Sequence, residues 1–300
     1  MAHHHSHGEI NSKNLIITMF LNFSITVAEI IGGIFSGSLS LLSDALHNLS
    51  DGFSVIITYI ALKLSKKKHT EKMTFGYKRA EILAALFNAS VLVIVSIFLF
   101  KEAYLKFINP EPINGGVMIW VALIGLIANT LSVILLSKNA KDSVNIKSTY
   151  LHLLSDALSS VGVVIGGIMI YYFKIYWIDP LLTALIGAYV IKESFEILNE
   201  TLKILMQATP EEINVKELED KINKIKEVEN IHHLHIWRLS EHDIHAEFHI
   251  KLKDDVKLSE ADIIREKISK LAHDSFDIEH TTIQMEYKQR ESVGLIKNNE

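Results

Sequence analysis

Long apolar runs alternate with short polar connections over the first two thirds of the chain. Six of these runs are long enough to cross a bilayer as a helix, which requires about 20 residues. The runs cover 14–35, 39–64, 80–107, 116–137, 148–172 and 178–204. The hydropathy pattern therefore predicts a polytopic α-helical membrane domain over 14–208, with six transmembrane helices, that ends just before Pro210.

After Thr209 the pattern becomes amphipathic and charged. PEEINVKELEDKINKI has helical periodicity, and the next two segments, VENIHHLHIWRLS and DIHAEFHIKLK, alternate as strands do. SEADIIREKISKLAHDS predicts a second helix and EHTTIQMEYK a last strand. The order αββαβ predicts a C-terminal α+β domain of ferredoxin-like type over 209–290, and 291–300 is expected to be a disordered tail.

Alternation along a strand assigns the side chains of this domain to two faces. In the second strand, one face is apolar and consists of Ile244, Ala246, Phe248, Ile250 and Leu252. In the first strand, strict alternation places His233, His235 and Trp237 on one face. It places His232 and Leu234 on the other.

Basic residues in the short loops predict the orientation in the membrane. The loop after the second run, KLSKKKHTEKMTFGYKR, holds seven lysines and arginines, and the loop after the fourth adds Lys138, Lys141 and Lys147. The connections on the opposite side contain only Lys174, with Lys101 and Lys106 near one rim. Both termini are therefore expected in the cytoplasm. The His-rich segment 1–13 could collect metal or be the remnant of a purification tag.

Composition narrows the possible chemistry. The chain has no cysteine, so disulfide scaffolds, thiol catalysis and thiolate metal sites are excluded. Its net charge of −5 gives no global basic field for nucleic acid. Histidine and carboxylate remain as the strong ligands for a metal ion.

Two apolar runs carry the same pair of polar residues. The spacing His-x-x-x-Asp occurs in the second run as His47 and Asp51, and in the fifth as His152 and Asp156. Residues four apart lie on one helix face, so two such helices can present two imidazoles and two carboxylates to one point. Zinc accepts this donor set in tetrahedral geometry. Ionisable groups inside a membrane mark ion or proton pathways by default.

Two further acids lie in the apolar runs. Asp44 is one turn before His47 and is expected to support a ligand or line the entry path. Glu29, in the first run, is expected to serve helix packing or access. An intramembrane zinc protease would need His-Glu-x-x-His, which is absent. A passive divalent-cation channel remains as the alternative, although a channel needs weak, multi-site binding.

The chain closely resembles the cation diffusion facilitator family of metal transporters over about residues 12–287. The resemblance rests on the six runs, the two His-x-x-x-Asp pairs, the loop ending FGYKRAE, and HHLHIW and HTTIQME in the tail. It implies that His47, Asp51, His152 and Asp156 form a transport site of the zinc-transporting type. It also implies a homodimer that exchanges cytoplasmic metal for protons.

The same resemblance favours a cytoplasmic metal site of His232, His249 and Glu286, joined by His280. The chain departs from the family pattern at Glu279, where relatives often have a histidine. The alternative is a set of solvated strand histidines. A metal bound there would bridge strands or subunits and act as a sensor. The domain 209–290 is thus expected to serve metal sensing and dimerisation.

The sequence as a whole predicts a proton-coupled exporter of divalent metal in the plasma membrane. Zinc is the expected substrate and also the expected regulatory ion, with cadmium or cobalt as alternative substrates. Coupling follows because metal binding needs neutral imidazole and ionised carboxylate, so metal and protons compete for one site. Lipid, protons and a second copy of the chain are the expected partners, and neither nucleic acid nor catalysis is expected.

Overall fold

The computed structural model describes the backbone of residues 12–137, 144–240, 243–288 and 294–295. Side chains are described over the same ranges apart from residues 12–21, 55, 135–137 and 144–153. The N-terminal histidines therefore lie outside the described residues. The chain forms two compact units, one made of residues up to 59 with 87–198, the other of 60–86 with the residues from 199 onward.

Long helices make up the N-terminal two thirds of the described chain. They are α1 (Ser12–Ser36), α2 (Leu39–Ser65), α3 (Ala80–Ile108), α4 (Gly115–Ser137), α5 (Val144–Phe173) and α6 (Ile178–Leu205). Each begins and ends within four residues of an apolar run in the sequence. Within the described residues, the stretches both long and apolar enough to cross a membrane are Ala80–Ile108, Gly115–Ile134 and Leu154–Phe173. The other long helices carry more polar residues or have a shorter described apolar stretch.

The first unit buries several acidic side chains and exposes many large apolar ones. Glu29, Asp44 and Asp156 are buried between the helices, whereas Phe98 and Trp120 are among the most exposed side chains. A protein surrounded by water would favour the reverse arrangement, because exposing large apolar side chains to water is unfavourable. The distribution fits helices that face lipid and enclose a polar interior.

Glycines allow α4 and α5 to approach closely. A Cβ atom at Gly115 would lie 2.8 Å from the backbone nitrogen of Tyr171, and one at Gly167 would lie 2.9 Å from a side-chain carbon of Ile119. Small residues at such crossings are typical of helix packing in membranes. This contact holds α5, which carries Asp156, firmly against α4.

The second unit contains a small sheet with two helices. Its elements are α7 (Val215–Asn223), β1 (Val228–Arg238), β2 (Ile244–Leu252), α8 (Leu258–Phe276) and β3 (Ile278–Glu286). The strand order is β1-β2-β3, with β1 antiparallel and β3 parallel to β2. The side chain of Asn214 caps α7 by accepting hydrogen bonds from the N–H groups of Lys216 and Glu217.

One face of this sheet forms the apolar core with the two helices. Phe248 and Ile250 of β2 belong to the same buried cluster as Leu218 of α7 and Ile268 of α8. The predicted apolar face of β2 is confirmed, because all five of its residues lie in this cluster. The opposite face carries His245, Glu247, His249 and Lys251. The histidines of β2 are thus kept out of the core.

The predicted faces of β1 are confirmed for His233, His235 and Trp237 and wrong for His232, which lies on their face and not with Leu234. The register pairs His232 with His249 and His235 with Glu247, so two residues of β1 stand opposite one residue of β2. His233 lies in this β-bulge with a φ of 54°. A bulge adds one residue and so shifts the alternation. As a result Leu234 joins the apolar core, whereas His232 lies on the other face beside His249.

The tail predicted to be disordered includes one described contact. The N–H of Leu234 donates a hydrogen bond to the carbonyl of Leu295 at 2.9 Å, and the Leu295 side chain packs against the core of the second unit. The prediction is therefore wrong at Leu295, where an apolar side chain gains burial. Residues 291–293 and 296–300 lie outside the described residues.

Candidate metal sites

A histidine and two carboxylates come together between α2 and α5. His47 Nε2 lies 3.6 Å from Asp156 Oδ1 and 3.7 Å from Asp51 Oδ2. The side chains of His47 and Asp156 are 8% and 5% exposed, and that of Asp51 is 27% exposed. The i, i+4 spacing places His47 and Asp51 on one face of α2. Asp156 is brought to this face by the packing of α5.

The fourth residue predicted for this site is His152. It lies in α5, one helical turn before Asp156. Its side chain lies outside the described residues. The backbone periodicity of α5 nevertheless puts position 152 on the same side of the helix as Asp156. Its role as a fourth ligand stays a prediction.

Asp44 is buried and is bound to hydroxyl groups of α5. Ser159 Oγ donates to Asp44 Oδ1 at 3.0 Å, and Ser160 Oγ lies 3.5 Å from Asp44 Oδ2. Asn129 of α4 donates from Nδ2 to Ser160 Oγ at 3.3 Å. This network ties α2, α4 and α5 together beside His47. It agrees with a supporting position for Asp44, since the carboxylate is oriented by hydroxyl groups.

Glu29 of α1 is connected to the same part of α2. Asn48 Nδ2, which immediately follows His47 in the chain, donates to Glu29 Oε2 at 3.1 Å. Gly125 of α4 provides the space for the carboxyl group, because a Cβ there would lie 2.6 Å from Glu29 Oε1. Asn48, Ser159 and Ser160 are not predicted from the sequence. Their partners lie on other helices, so no local spacing signals them.

A second cluster of ligand atoms lies on the sheet face opposite the core. His232, His249 and Glu286 each offer one ligand atom, and these atoms all lie within 4.8 Å of one another. His232 Nε2 is 3.1 Å from Glu286 Oε2, and His249 Nδ1 is 2.8 Å from Glu286 Oε1. The second contact is short, but its angles are not those of a hydrogen bond.

The three strands of the second unit assemble this cluster. His232 and His249 are direct neighbours in the β1–β2 register, and Glu286 ends β3. His232 is 3% exposed, so its imidazole is almost fully removed from water. Two nitrogen ligands and one carboxylate oxygen match a zinc site that has a fourth position free for another ligand.

His280 does not belong to this cluster. The β2–β3 register pairs it with His245, and the two ring centroids are 5.0 Å apart. The register therefore places His280 beside His245 and not beside His232, where it was predicted. Trp237 also packs on His245, with centroids 5.7 Å apart. Burial lowers the pKa of His245, and the neighbouring His280 lowers it further.

The loop between α2 and α3 contacts the sheet close to His245. Lys78 Nζ donates to Asp243 Oδ2 at 2.8 Å, and Ser240 Oγ donates to the same oxygen at 2.7 Å. These hydrogen bonds hold the pKa of Asp243 below its usual value. The Phe75 ring meets His245 edge to face at 6.0 Å. The contact explains why residues 60–86 form one compact unit with the C-terminal residues.

Comparison with known proteins gives matches over both parts of the chain. Residues 15–206 match the cation efflux transmembrane domain, and residues 210–288 match the cytoplasmic domain of cation efflux proteins. The zinc transporter ZitB of Pectobacterium atrosepticum is 36% identical over 294 residues, covering 96% of this chain and 90% of the relative.

Two further relatives cover the chain to a similar extent. The cadmium, cobalt and zinc/H(+)-K(+) antiporter of Bacillus subtilis is 37% identical over 289 residues, which is 95% of this chain and 92% of the relative. The metal cation efflux system protein CzcD of Cupriavidus metallidurans is 37% identical over 285 residues, which is 95% of this chain and 90% of the relative.

Fold, ligand clusters and relatives define one class of protein. A helical membrane domain with buried acidic and histidine side chains, joined to a cytoplasmic domain with a small sheet, is a metal cation efflux transporter. The chain belongs to the cation efflux family, also called the cation diffusion facilitator family, and the resemblance read from its motifs is confirmed.

Proposed function

We propose that this protein exports zinc from the cytoplasm in exchange for protons. The observation that carries the proposal is the meeting of His47 with Asp51 and Asp156 in the interior of the helical unit. Buried carboxylates inside a membrane are costly without a partner, and a divalent cation supplies one. We propose His47, Asp51, His152 and Asp156 as the four ligands of the transported ion, and Asp44 as their support.

The ligand types favour zinc over softer metals. Two imidazoles and two carboxylates suit the tetrahedral geometry that zinc adopts in proteins. The absence of cysteine from the chain removes the thiolates that select copper(I). One relative is named for cadmium and cobalt as well as zinc, which keeps these two ions as candidate substrates. Affinity alone does not set the selectivity among them.

Competition between metal and protons supplies the coupling in this proposal. The imidazoles bind metal only when neutral and the carboxylates only when ionised, so protons entering from the more acidic side displace the ion. The emptied, protonated site then returns to the cytoplasmic side, where it loses its protons and binds metal again. This cycle requires alternating access to one tight site, in contrast to the weak sites of a channel.

The finer architecture belongs to the same proposal. The helices α1 to α6 are proposed to span the plasma membrane, with both termini in the cytoplasm, as the distribution of lysines and arginines favours. The sheet domain is proposed to resemble the ferredoxin-like type and to join two copies of the chain. His232, His249 and Glu286 are proposed to bind a regulatory zinc ion there.

Transport by single variants tests the proposal. His47→Ala or Asp51→Ala should lower zinc uptake into inverted vesicles at least about 100-fold, because loss of a supporting residue alone costs 10–100-fold at metal sites. The matched control is His273→Ala, a change to an exposed histidine on α8. Equal amounts of folded protein are verified by size-exclusion chromatography. Normal proton-driven uptake by either site variant would contradict the proposed transport site.

A further inference from the structure

The turn that connects α1 to α2 is held by side chains from other helices. Gly37 in this turn has a φ of 73°, and α2 begins two residues later at Leu39. The first N–H groups of a helix have no partner within the helix and need one from elsewhere. Ser38 supplies one locally, since its Oγ lies 3.2 Å from the N–H of Leu41 and accepts from it.

Asp179, at the beginning of α6, supplies the remaining partners. Its Oδ2 accepts from the backbone N–H of Leu39 at 2.8 Å, and its Oδ1 accepts from that of Ser40 at 3.1 Å. The hydroxyl groups of Ser38 and Ser40 both donate to Oδ1 at 2.6 Å. Asp179 is fully buried. One carboxylate of α6 therefore accepts four hydrogen bonds from the start of α2.

This arrangement is more than is needed to cap a helix. A serine or aspartate at the cap position would satisfy the same N–H groups without involving another helix. A charged acceptor at the positive end of the α2 dipole is favourable, and it is drawn from a residue about 140 positions away in the chain. The consequence is a tie between the first turns of α2 and α6.

Two further contacts hold the same turn. Lys106, near the end of α3, donates from Nζ to the carbonyl of Gly37 at 2.7 Å. The N–H of Asn114, just before α4, donates to the carbonyl of Ser36 at 2.9 Å. The turn before α2 is thus attached to α3, to the segment before α4 and to α6.

The helix fixed in this way is the one that carries His47 and Asp51. His47 follows Leu39 by eight residues, which corresponds to about 12 Å along the helix. We propose that Asp179 is a positioning residue that keeps the first turn of α2 pinned to α6 throughout the transport cycle. The metal-binding part of α2 then moves about this fixed end. This inference rests on the proposed function only where it predicts an effect of Asp179 on the rate of transport.

Transport kinetics give the first test. Asp179→Ala and Asp179→Asn should lower kcat for zinc about tenfold or more, because hydrogen bonds to a charged group are lost. KM should stay within about twofold of its value in the unaltered protein, because His47 contacts Asp156 from a part of α2 that Asp179 does not touch. Asn keeps one acceptor oxygen for the hydroxyl groups, so its defect should be the smaller. The matched control is Thr183→Val, which removes a hydrogen bond within α6 to the carbonyl of Asp179.

Distance measurements give a second test that does not depend on transport. Since the chain has no cysteine, spin labels can be placed uniquely at Leu42→Cys, a partly exposed position in the first turn of α2, and at Leu181→Cys, an exposed position in the first turn of α6. The distance should be narrow and equal in zinc-free and zinc-saturated protein, and broad after Asp179→Ala. A distance that changes with zinc in the otherwise unaltered chain would overturn the proposal.

The two tests separate failure of this inference from failure of the proposed function. If the unaltered chain fails to transport zinc, the proposed function fails, and the spin-label distance still decides whether the first turns stay together. If Asp179→Ala lowers only the yield of folded protein, with kcat and the distance unchanged, the residue has a purely structural role and the proposal is wrong.

Discussion

Removal of the single carboxylate from the cytoplasmic cluster should abolish tight zinc binding there. Glu286 lies 3.1 Å from His232 Nε2 and 2.8 Å from His249 Nδ1, and it is the only carboxylate of the three. Glu286→Gln keeps the size of the side chain and removes its negative charge. An amide oxygen is a much weaker zinc ligand than a carboxylate oxygen.

The magnitude follows from the geometry of the cluster. Loss of a residue that only orients a ligand costs 10–100-fold in metal affinity, so loss of a ligand should cost at least about 100-fold. That factor corresponds to about 2.8 kcal/mol, since 1.4 kcal/mol is a factor of ten. Zinc at 100 times its Kd stabilises a one-site protein by about 2.7 kcal/mol. At the same zinc concentration the variant should gain only about 0.4 kcal/mol.

The assay uses the full chain in detergent with the transport site removed by His47→Ala and Asp156→Ala. Isothermal titration gives the zinc affinity, and thermal unfolding gives the stabilisation by zinc. The matched control is Glu279→Gln, the same chemical change at an exposed residue on the same strand. The Glu279→Gln variant should bind zinc with the same affinity as the protein that carries only His47→Ala and Asp156→Ala. If Glu286→Gln also bound zinc with unchanged affinity, the cluster would not be a metal site.

Two further predictions concern the same unit. His280→Ala should leave the zinc affinity of the cytoplasmic cluster within about twofold, because the sheet register keeps His280 beside His245; a large loss in the titration would contradict that register. Asp243→Asn should reduce stability by at most about 1 kcal/mol, because its ion pair with Lys78 is partly exposed. The lowered pKa of Asp243 means that this stability is present at neutral pH and lost as the pH falls through that pKa. Thermal unfolding of the unaltered chain and of Asp243→Asn over a pH series measures this difference in stability. If Asp243→Asn cost as much stability at acid pH as at neutral pH, the prediction would be refuted.

The helices and the apolar strand face could be predicted because their signals are local. Each long apolar run became a helix, and the alternation along β2 placed Phe248 and Ile250 in the core. Such patterns depend only on the periodicity of one element. The grouping of His47 with Asp51 follows in the same way, since both lie on one helix.

The errors arose where placement depends on neighbouring elements. A bulge at His233 put His232 on the other face of β1 from Leu234, and its left-handed backbone has no signal in the side-chain pattern. The position of His280 beside His245 was not predicted, because the β2–β3 register is set by packing between strands. The ties made by Asp179 and Asn48 were not expected, since their partners lie on other helices.

In the proposed transport cycle, metal and protons compete for one site that is exposed in turn to each side of the membrane. The most direct measurement is zinc accumulation in sealed liposomes after a pH jump, with no zinc gradient at the start. If metal and protons compete in this way, liposomes made acidic inside accumulate zinc in their lumen against its gradient, and His47→Ala abolishes this accumulation. Zinc that only equilibrates, whatever the pH difference, would contradict it and indicate a passive channel.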